Sequence, residues 1–375
     1  MFEQMQNWYD KRHAYAKEWK KNHPGGKVLG CFCTYVPEEL VYAAGVLPVR
    51  LLGSHEPQSV TEPHIFGMYC PFCRDVLAQG LQKRYDYLDG ITISQSCLHI
   101  RQAYTSWQMH VPTGFSYYLP MPNCVQSPHA LSYLKGEFLA FKNALEKWTG
   151  NEITDEKLRQ ATELVNTNRR LMRQVYDLRK QDNPPMTGLE AMYMVVSSQM
   201  TDKNDHSKLL EKILKELPGR KMDRQTGARL MIIGSEDDDT AFIKMVESVG
   251  ATLVVDDHCT GTRQFWNETE LKGDVLTSIA KRYIDRPACP SKDWPERRRL
   301  PHILKLAKDF NAKGAIIIQQ KFCDPHELDI PAIIKDLKKN GIPSLFLEFD
   351  VTVPIGPFRT RVEAFLEMIG QDDLF

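Results

Sequence analysis

Lys313-Gly314-Ala315-Ile316-Ile317-Ile318-Gln319-Gln320-Lys321-Phe322-Cys323-Asp324 is a short apolar run entered through glycine and left through polar residues and a cysteine; residues 89–97 (DGITISQSC) follow the same plan. A brief β-branched run bounded by glycine and polar turns reads as a buried strand. Helical apolar spacing flanks the later run on both sides, at 302–311 and 330–340. A strand set between helices is the unit of a parallel sheet, because parallel neighbours need a crossover connection.

The same alternation extends through two blocks of the chain. In the second, 228–234 (ARLMIIG), 252–256 (TLVVD), 315–319 (AIIIQ) and 344–348 (SLFLE) read as strands, with helices at 239–249 and roughly 269–283. In the first, 27–33 (KVLGCFC), 46–52 (VLPVRLL), 90–95 (GITISQ) and 115–119 (FSYYL) read as strands, with helices at 37–45, 70–84 and 98–108. Between the blocks, residues 127–215 are helical by composition, and 216–227 (ELPGRKMDRQTG) is the best linker. The pattern predicts an α/β protein: two doubly wound (Rossmann-like) parallel-sheet domains, 1–126 and 216–375, joined by a helical bridge at 127–215. A length of 375 residues agrees, since one core rarely grows past ~250–300 residues.

Lys plus Arg and Asp plus Glu both number 48, so the formal net charge is zero and no long-range field draws nucleic acid or an anionic membrane. Hydrophobic residues make up 42% and charged residues 26%, which excludes a disordered chain. The first residues (MFEQMQNWYDKRHAYAKEWKKNHPGG) are amphipathic and charged, with no apolar signal core, and no run of ~18 apolar residues occurs. The expected compartment is the cytoplasm.

Nine cysteines, an odd number in a large chain without a secretory signal, argue against a disulfide framework. In doubly wound domains ligands sit beyond the carboxyl ends of the strands. Cys97 and Cys323 fall at two such ends, one per domain. Cys70, with Cys73 close behind, opens a helix, where the positive end of the helix dipole favours a thiolate. Thiolates converging from separate segments suit an iron–sulfur cluster, with zinc as the rival and plain burial as the third reading. Cys124, Cys259 and Cys289 require no function.

There is no Gly-x4-Gly-Lys-Ser/Thr, no Gly-x-Gly-x-x-Gly after a strand and no Gly-x-Ser-x-Gly, so the chain carries no Walker-type ATP site, dinucleotide fingerprint or serine elbow. The acidic run 236–239 (EDDD) ends a strand and could hold a metal, but it opens a helix, where carboxylates cap backbone N–H groups, and the cap is the favoured reading. Residues 256–258 (DDH) end another strand, as a proton donor, a cluster's outer shell or a structural hydrogen-bonding group.

These residues together resemble a catalytic subunit of the 2-hydroxyacyl-CoA dehydratase and benzoyl-CoA reductase family. The resemblance runs from 33–40 (CTYVPEEL) and 43–49 (AAGVLPV) through the Cys70 helix, the 88–97 strand, 233–235 (IGS) and 254–257 (VVDD) to 322–325 (FCDP). It implies one [4Fe-4S] cluster held by Cys70, Cys97 and Cys323 with one iron open, and leaves Cys73 as a spare, a fourth ligand or core. Residues 97–104 (CLHIRQAY) and 120–123 (PMPN) look more like the reductase than the dehydratases. The reductase resemblance further implies low-potential electrons from ferredoxin, ATP and Mg confined to ATP-hydrolysing iron–sulfur partner subunits, a related cluster-bearing subunit, and an aromatic acyl-CoA substrate. The candidate proton donors are His99, His258 and His326; Thr34 and Tyr35 are candidates to bond a cluster ligand or the thioester. A dehydratase working through a ketyl radical and a non-enzymatic ligand binder without a cluster are the competing readings.

Overall fold

The computed structural model describes residues 1–372 and contains two four-stranded, wholly parallel sheets. The first is built from β1 (Lys27–Cys31), β2 (Val46–Arg50), β3 (Gly90–Ser94) and β4 (Phe115–Leu119), in the order β2-β1-β3-β4. The second is built from β5 (Ala228–Ile233), β6 (Ala251–Asp257), β7 (Gly314–Gln320) and β8 (Ser344–Phe349), in the order β6-β5-β7-β8. Every residue of β2, β3, β6 and β7 is buried, as expected of strands covered by helices on both faces. This is the α/β, doubly wound pair of domains that the sequence predicts.

The two sheets are built alike where it matters for a ligand. β1 pairs with β2 on one side and β3 on the other, and β5 pairs likewise with β6 and β7. The chain therefore winds in opposite directions from β1 and β3, and from β5 and β7. The loops leaving those strands diverge and open a crevice at each switch point.

Local chemistry sets the helix boundaries. Helix Pro71–Leu81 has Cys70 at its N-cap and proline in its first turn, where the missing N–H costs nothing. Helix Ala130–Thr149 stops at Gly150, which adopts a left-handed φ of 75°. The helix expected at 269–283 instead runs Val275–Asp285. Gly273, at φ 68°, breaks the chain direction, and the Asp274 carboxylate caps the new start by accepting the Thr277 N–H at 2.8 Å.

Each sheet falls on its expected side of the 127–215 segment, but the hydrophobic cores ignore that division. Met5 and Tyr9, in the first helix (Glu3–Asp10), share one core with helix Gly188–Ser198 and the β5–β8 sheet. Val275, Ile279 and Tyr283 share another with the β1–β2 layer and helix Ala130–Thr149. At that junction the buried Glu39 carboxylate accepts from Arg169 Nη1 at 2.7 Å and from the Tyr283 hydroxyl at 2.9 Å. Among the described residues no helix is long and apolar enough to cross a membrane.

Candidate active site

The carboxyl ends of the two sheets face each other across one cavity. Seven of the nine cysteines line it: Cys33, Cys70, Cys73, Cys97, Cys259, Cys289 and Cys323. Cys33 follows β1, Cys97 follows β3 and caps helix Leu98–His110, and Cys323 follows β7, so the switch points of both domains supply thiols to one space. The turn that presents Cys323 is strained. Phe322, a non-glycine residue, sits at φ 62°, a conformation costing on the order of 1–3 kcal/mol and retained where the surroundings over-determine it.

The thiols differ in character. Cys70 is lowered to about 6, first by a hydrogen bond from Cys73 and then, against burial, by His99. The Cys70 N–H donates to His99 Nδ1 at 3.2 Å, and His99 Nε2 lies 3.5 Å from Asp324. Burial pushes Cys97 up, and the neighbouring Cys70 and Cys323 add to it. Burial and Cys70 push Cys323 up to about 12, although its Sγ contacts Ser235 Oγ at 3.2 Å. One thiolate among protonated neighbours is what a dry cavity allows without a cation; soft cationic iron would let all three ionise. In type and number the donors Cys70, Cys97 and Cys323 fit a cluster with one open iron. Among the described residues, however, no three His, Cys, Asp or Glu side chains converge as a closed ligand set.

A family model described as 2-hydroxyglutaryl-CoA dehydratase, D-component, matches residues 33–369. The chain belongs to this family. Its relatives include the (R)-phenyllactyl-CoA dehydratase beta subunit of Clostridium sporogenes, 28% identical over 92% of both chains. A benzoyl-CoA reductase subunit of Thauera aromatica is 24% identical over 94% of both. The (R)-2-hydroxyglutaryl-CoA dehydratase subunit beta of Acidaminococcus fermentans is 26% identical over 92% of this chain and 93% of its own. Each of these names is that of a subunit.

In this member of the dehydratase D-component family, the residues singled out in the sequence divide into those at the cavity and those away from it. Thr34 and Tyr35 line it, but their polar groups are engaged by the other domain. Arg286 donates to the Thr34 carbonyl at 2.6 Å and to its hydroxyl at 3.3 Å, and the Tyr35 hydroxyl accepts from the Cys289 N–H at 3.3 Å. His99 stands at the rim, in an adjoining recess.

His258 and His326, expected near the cysteine turns as proton donors, do not line the cavity. His326 is fully buried, its ring nitrogens facing Arg299 Nη1 at 3.0 Å and the Ile318 carbonyl at 3.1 Å. His258 faces Thr260 and a separate small cavity. Each packs back into its own domain, while Cys259 and Cys323, past the ends of the same strands, turn to the cavity. Asp257 is likewise structural, clasped by Arg299 and Arg263.

Sequence reasoning missed Arg50, Glu236, Cys259 and Cys289 as cavity residues. Arg50 is the last residue of β2, but the expected strand ran on to Leu52 and so hid it from the strand-end rule. Cys289 had no such signal, because it arrives on an irregular segment after helix Val275–Asp285.

Of the acidic run, Asp239 acts as the expected cap, accepting the Phe242 N–H at 2.8 Å, and Asp238 joins the two domains behind the cavity. Its carboxylate accepts from His55 Nε2 at 2.6 Å and Arg12 Nη1 at 3.2 Å. Burial works to lower the His55 pKa, but Asp238 outweighs it and holds His55 up at about 10. A raised folded-state pKa means that the stabilisation is complete below the ordinary histidine value of ~6.5 and is lost as pH rises through about 10. In urea denaturation, His55→Asn is therefore expected to lower stability most at acidic to neutral pH, with the gap to wild type closing above about pH 10. A gap independent of pH would refute this pairing.

Proposed function

We propose that this chain is the electron-delivering subunit of a benzoyl-CoA reductase-type complex. The reading is supported above all by one cavity that gathers Cys70, Cys97 and Cys323 from two domains within a largely apolar wall that includes Phe32, Phe72, Ile100 and Pro287. Cys70, Cys97 and Cys323 would hold a [4Fe-4S] cluster, which supplies single low-potential electrons when bound. ATP hydrolysis, with its Mg, belongs to iron–sulfur partner subunits that take electrons from ferredoxin, and the site is completed by a related cluster-bearing subunit.

Adding one electron to an aryl thioester puts negative charge on the carbonyl oxygen and breaks no bond until a proton arrives. The chain's own residues serve both needs. The apolar wall excludes water, which strengthens each remaining polar interaction. Burial, with the Asp238 carboxylate nearby, raises the Glu236 carboxyl well above its usual range. Its Oε2 accepts from Gln320 Nε2 at 2.7 Å, and its Oε1 has no partner among the described residues. It takes the proton-donor part that His258 and His326 are too enclosed to play. Leu98, Trp294 and Leu328, which are 66%, 64% and 73% exposed, border the recess beside Cys97, an apolar rim of the kind a partner protein covers.

A second reading, a 2-hydroxyacyl-CoA dehydratase subunit, is favoured by the two relatives named as dehydratases, at 28% and 26% identity against 24% for the reductase subunit. The test is anaerobic purification of the complex with iron and sulfide analysis, followed by supply of reduced ferredoxin, ATP and benzoyl-CoA. Stoichiometric ATPase subunits and loss of aromatic absorbance are expected. A substoichiometric activator, with water lost from a 2-hydroxyacyl-CoA, would replace the reductase reading by the dehydratase one. A colourless, iron-free protein would overturn both.

A further inference from the structure

Arg50 is 5% exposed, at the carboxyl end of β2, and lines the cysteine cavity. Among the described residues its Nε and Nη1 have no hydrogen-bond partner, and its Nη2 has the Cys259 sulfur at 4.0 Å, with the Cys33 thiol also beside the guanidinium. Other buried arginines with an unpartnered nitrogen are each anchored to oxygen: Arg169 to the Glu39 carboxylate, Arg179 to the Leu253 carbonyl, Arg263 to Asp257 and Arg286 to Thr34. Arg50 has no oxygen partner for any side-chain nitrogen, and burying such a cation unpaired is costly.

The acidic groups acting on it are Cys259, Cys33 and Glu236, and none gives it an oxygen contact among the described residues. Burial pushes the Cys259 thiol up to about 12 and raises the Glu236 carboxyl well above its usual range. The guanidinium is nonetheless held in place. Its plane lies over the Phe72 ring, 5.4 Å from the centroid, and the Arg50 backbone N–H donates to the Gln199 carbonyl at 2.8 Å. A positioned, desolvated pair of N–H donors with no partner is the arrangement that binds an oxygen carrying negative charge.

We propose that Arg50 binds the thioester carbonyl oxygen of the acyl-CoA substrate through its Nε–H and Nη1–H. This rests on the acyl-CoA reading above and deepens it. Arg50 touches the reacting group itself, so it is a catalytic residue in the strict sense. The same two donors that select the carbonyl hold the charge that the electron places on its oxygen. Lysine keeps the positive charge but not the fork, so it replaces arginine only in part.

The test compares two probes on the anaerobically purified complex by calorimetric titration: benzoyl-CoA, and S-benzyl-CoA, the thioether that lacks the carbonyl oxygen. Wild type is expected to bind benzoyl-CoA about 30-fold more tightly than the thioether, the loss typical of a charged hydrogen bond. Arg50→Met should bring both probes to the thioether affinity, with iron content unchanged, and Arg50→Lys should retain part of the preference. Should Arg50→Met fail to fold, Arg50→Lys alone decides, since an undiminished preference there refutes the forked contact. A wild type that binds both probes equally, or an Arg50→Met that keeps the full preference, overturns the assignment while leaving the acyl-CoA reading standing. A wild type that binds neither probe overturns both.

Discussion

Alanine in place of Cys97 or Cys323 is expected to strip the anaerobically purified protein of its iron, from about four atoms per chain to fewer than one. Cys124→Ala and Cys289→Ala are expected to keep it. The contrast follows from geometry. Cys97 and Cys323 are carried on the loops leaving β3 and β7, one at each switch point, so in the proposed cluster site each domain would supply a ligand that the other cannot replace. Cys124 lies outside that cavity, its sulfur turned to the Trp294 carbonyl at 3.2 Å. Cys289 lines the wall but arrives on an irregular segment after helix Val275–Asp285, away from both switch points. Iron and sulfide analysis with the visible spectrum reads the result, and equal retention in all four variants would remove the ligand assignment.

Asp257→Asn is expected to cost about 3–5 kcal/mol of stability, as when one member of a buried, hydrogen-bonded ion cluster is removed. The Asp257 side chain is wholly buried, with Arg299 Nε at 2.7 Å and Arg263 Nη1 at 3.2 Å from the same oxygen. Both guanidiniums also donate to the Gly234 carbonyl, at the end of β5. The neutral variant thus leaves two buried cations without their shared anion beneath the cavity floor. Burial opposes ionisation of Asp257, but Arg299 and Arg263 outweigh it and bring its pKa down to about 2. A depressed folded-state value means that the stabilisation is present above the unfolded value of ~3.9 and is lost as pH falls toward about 2. Urea denaturation at several pH values measures both effects. The variant should lie furthest below wild type near neutrality, and the two should approach each other in acid; parallel curves would refute the ion cluster.

Much of the fold was legible because parallel strands buried on both faces are nearly continuous apolar runs. Residues 115–119 match β4 throughout, and the other seven expected strands differ from those observed by no more than two residues at either end. The helix expected from 269 failed because apolar spacing carried across Gly273, whose backbone conformation forbids continuation. Cys70, Cys97 and Cys323 were singled out from strand ends and a helix start, which are local features, and all three line the cavity. His258 and His326 do not line the cavity, because a residue just past a strand end can turn into the domain as readily as out of it. Arg50 and Glu236 were passed over for the complementary reason. Their significance is the absence of partners, and that is a property of everything around them.

By itself, then, the sequence determined the alternation of strands and helices, the parallel sheets that follow from it and the strand ends where chemistry belongs, since each depends on interactions within a few residues. Only the tertiary structure decided that the two sheets turn their carboxyl ends toward a single space, that seven cysteines reach it, and that one buried guanidinium there has no oxygen partner. Those outcomes depend on contacts between residues more than a hundred positions apart, such as Thr34 with Arg286 or Glu39 with Arg169. Contacts of that range are set by how two hydrophobic cores pack together, which no local spacing encodes.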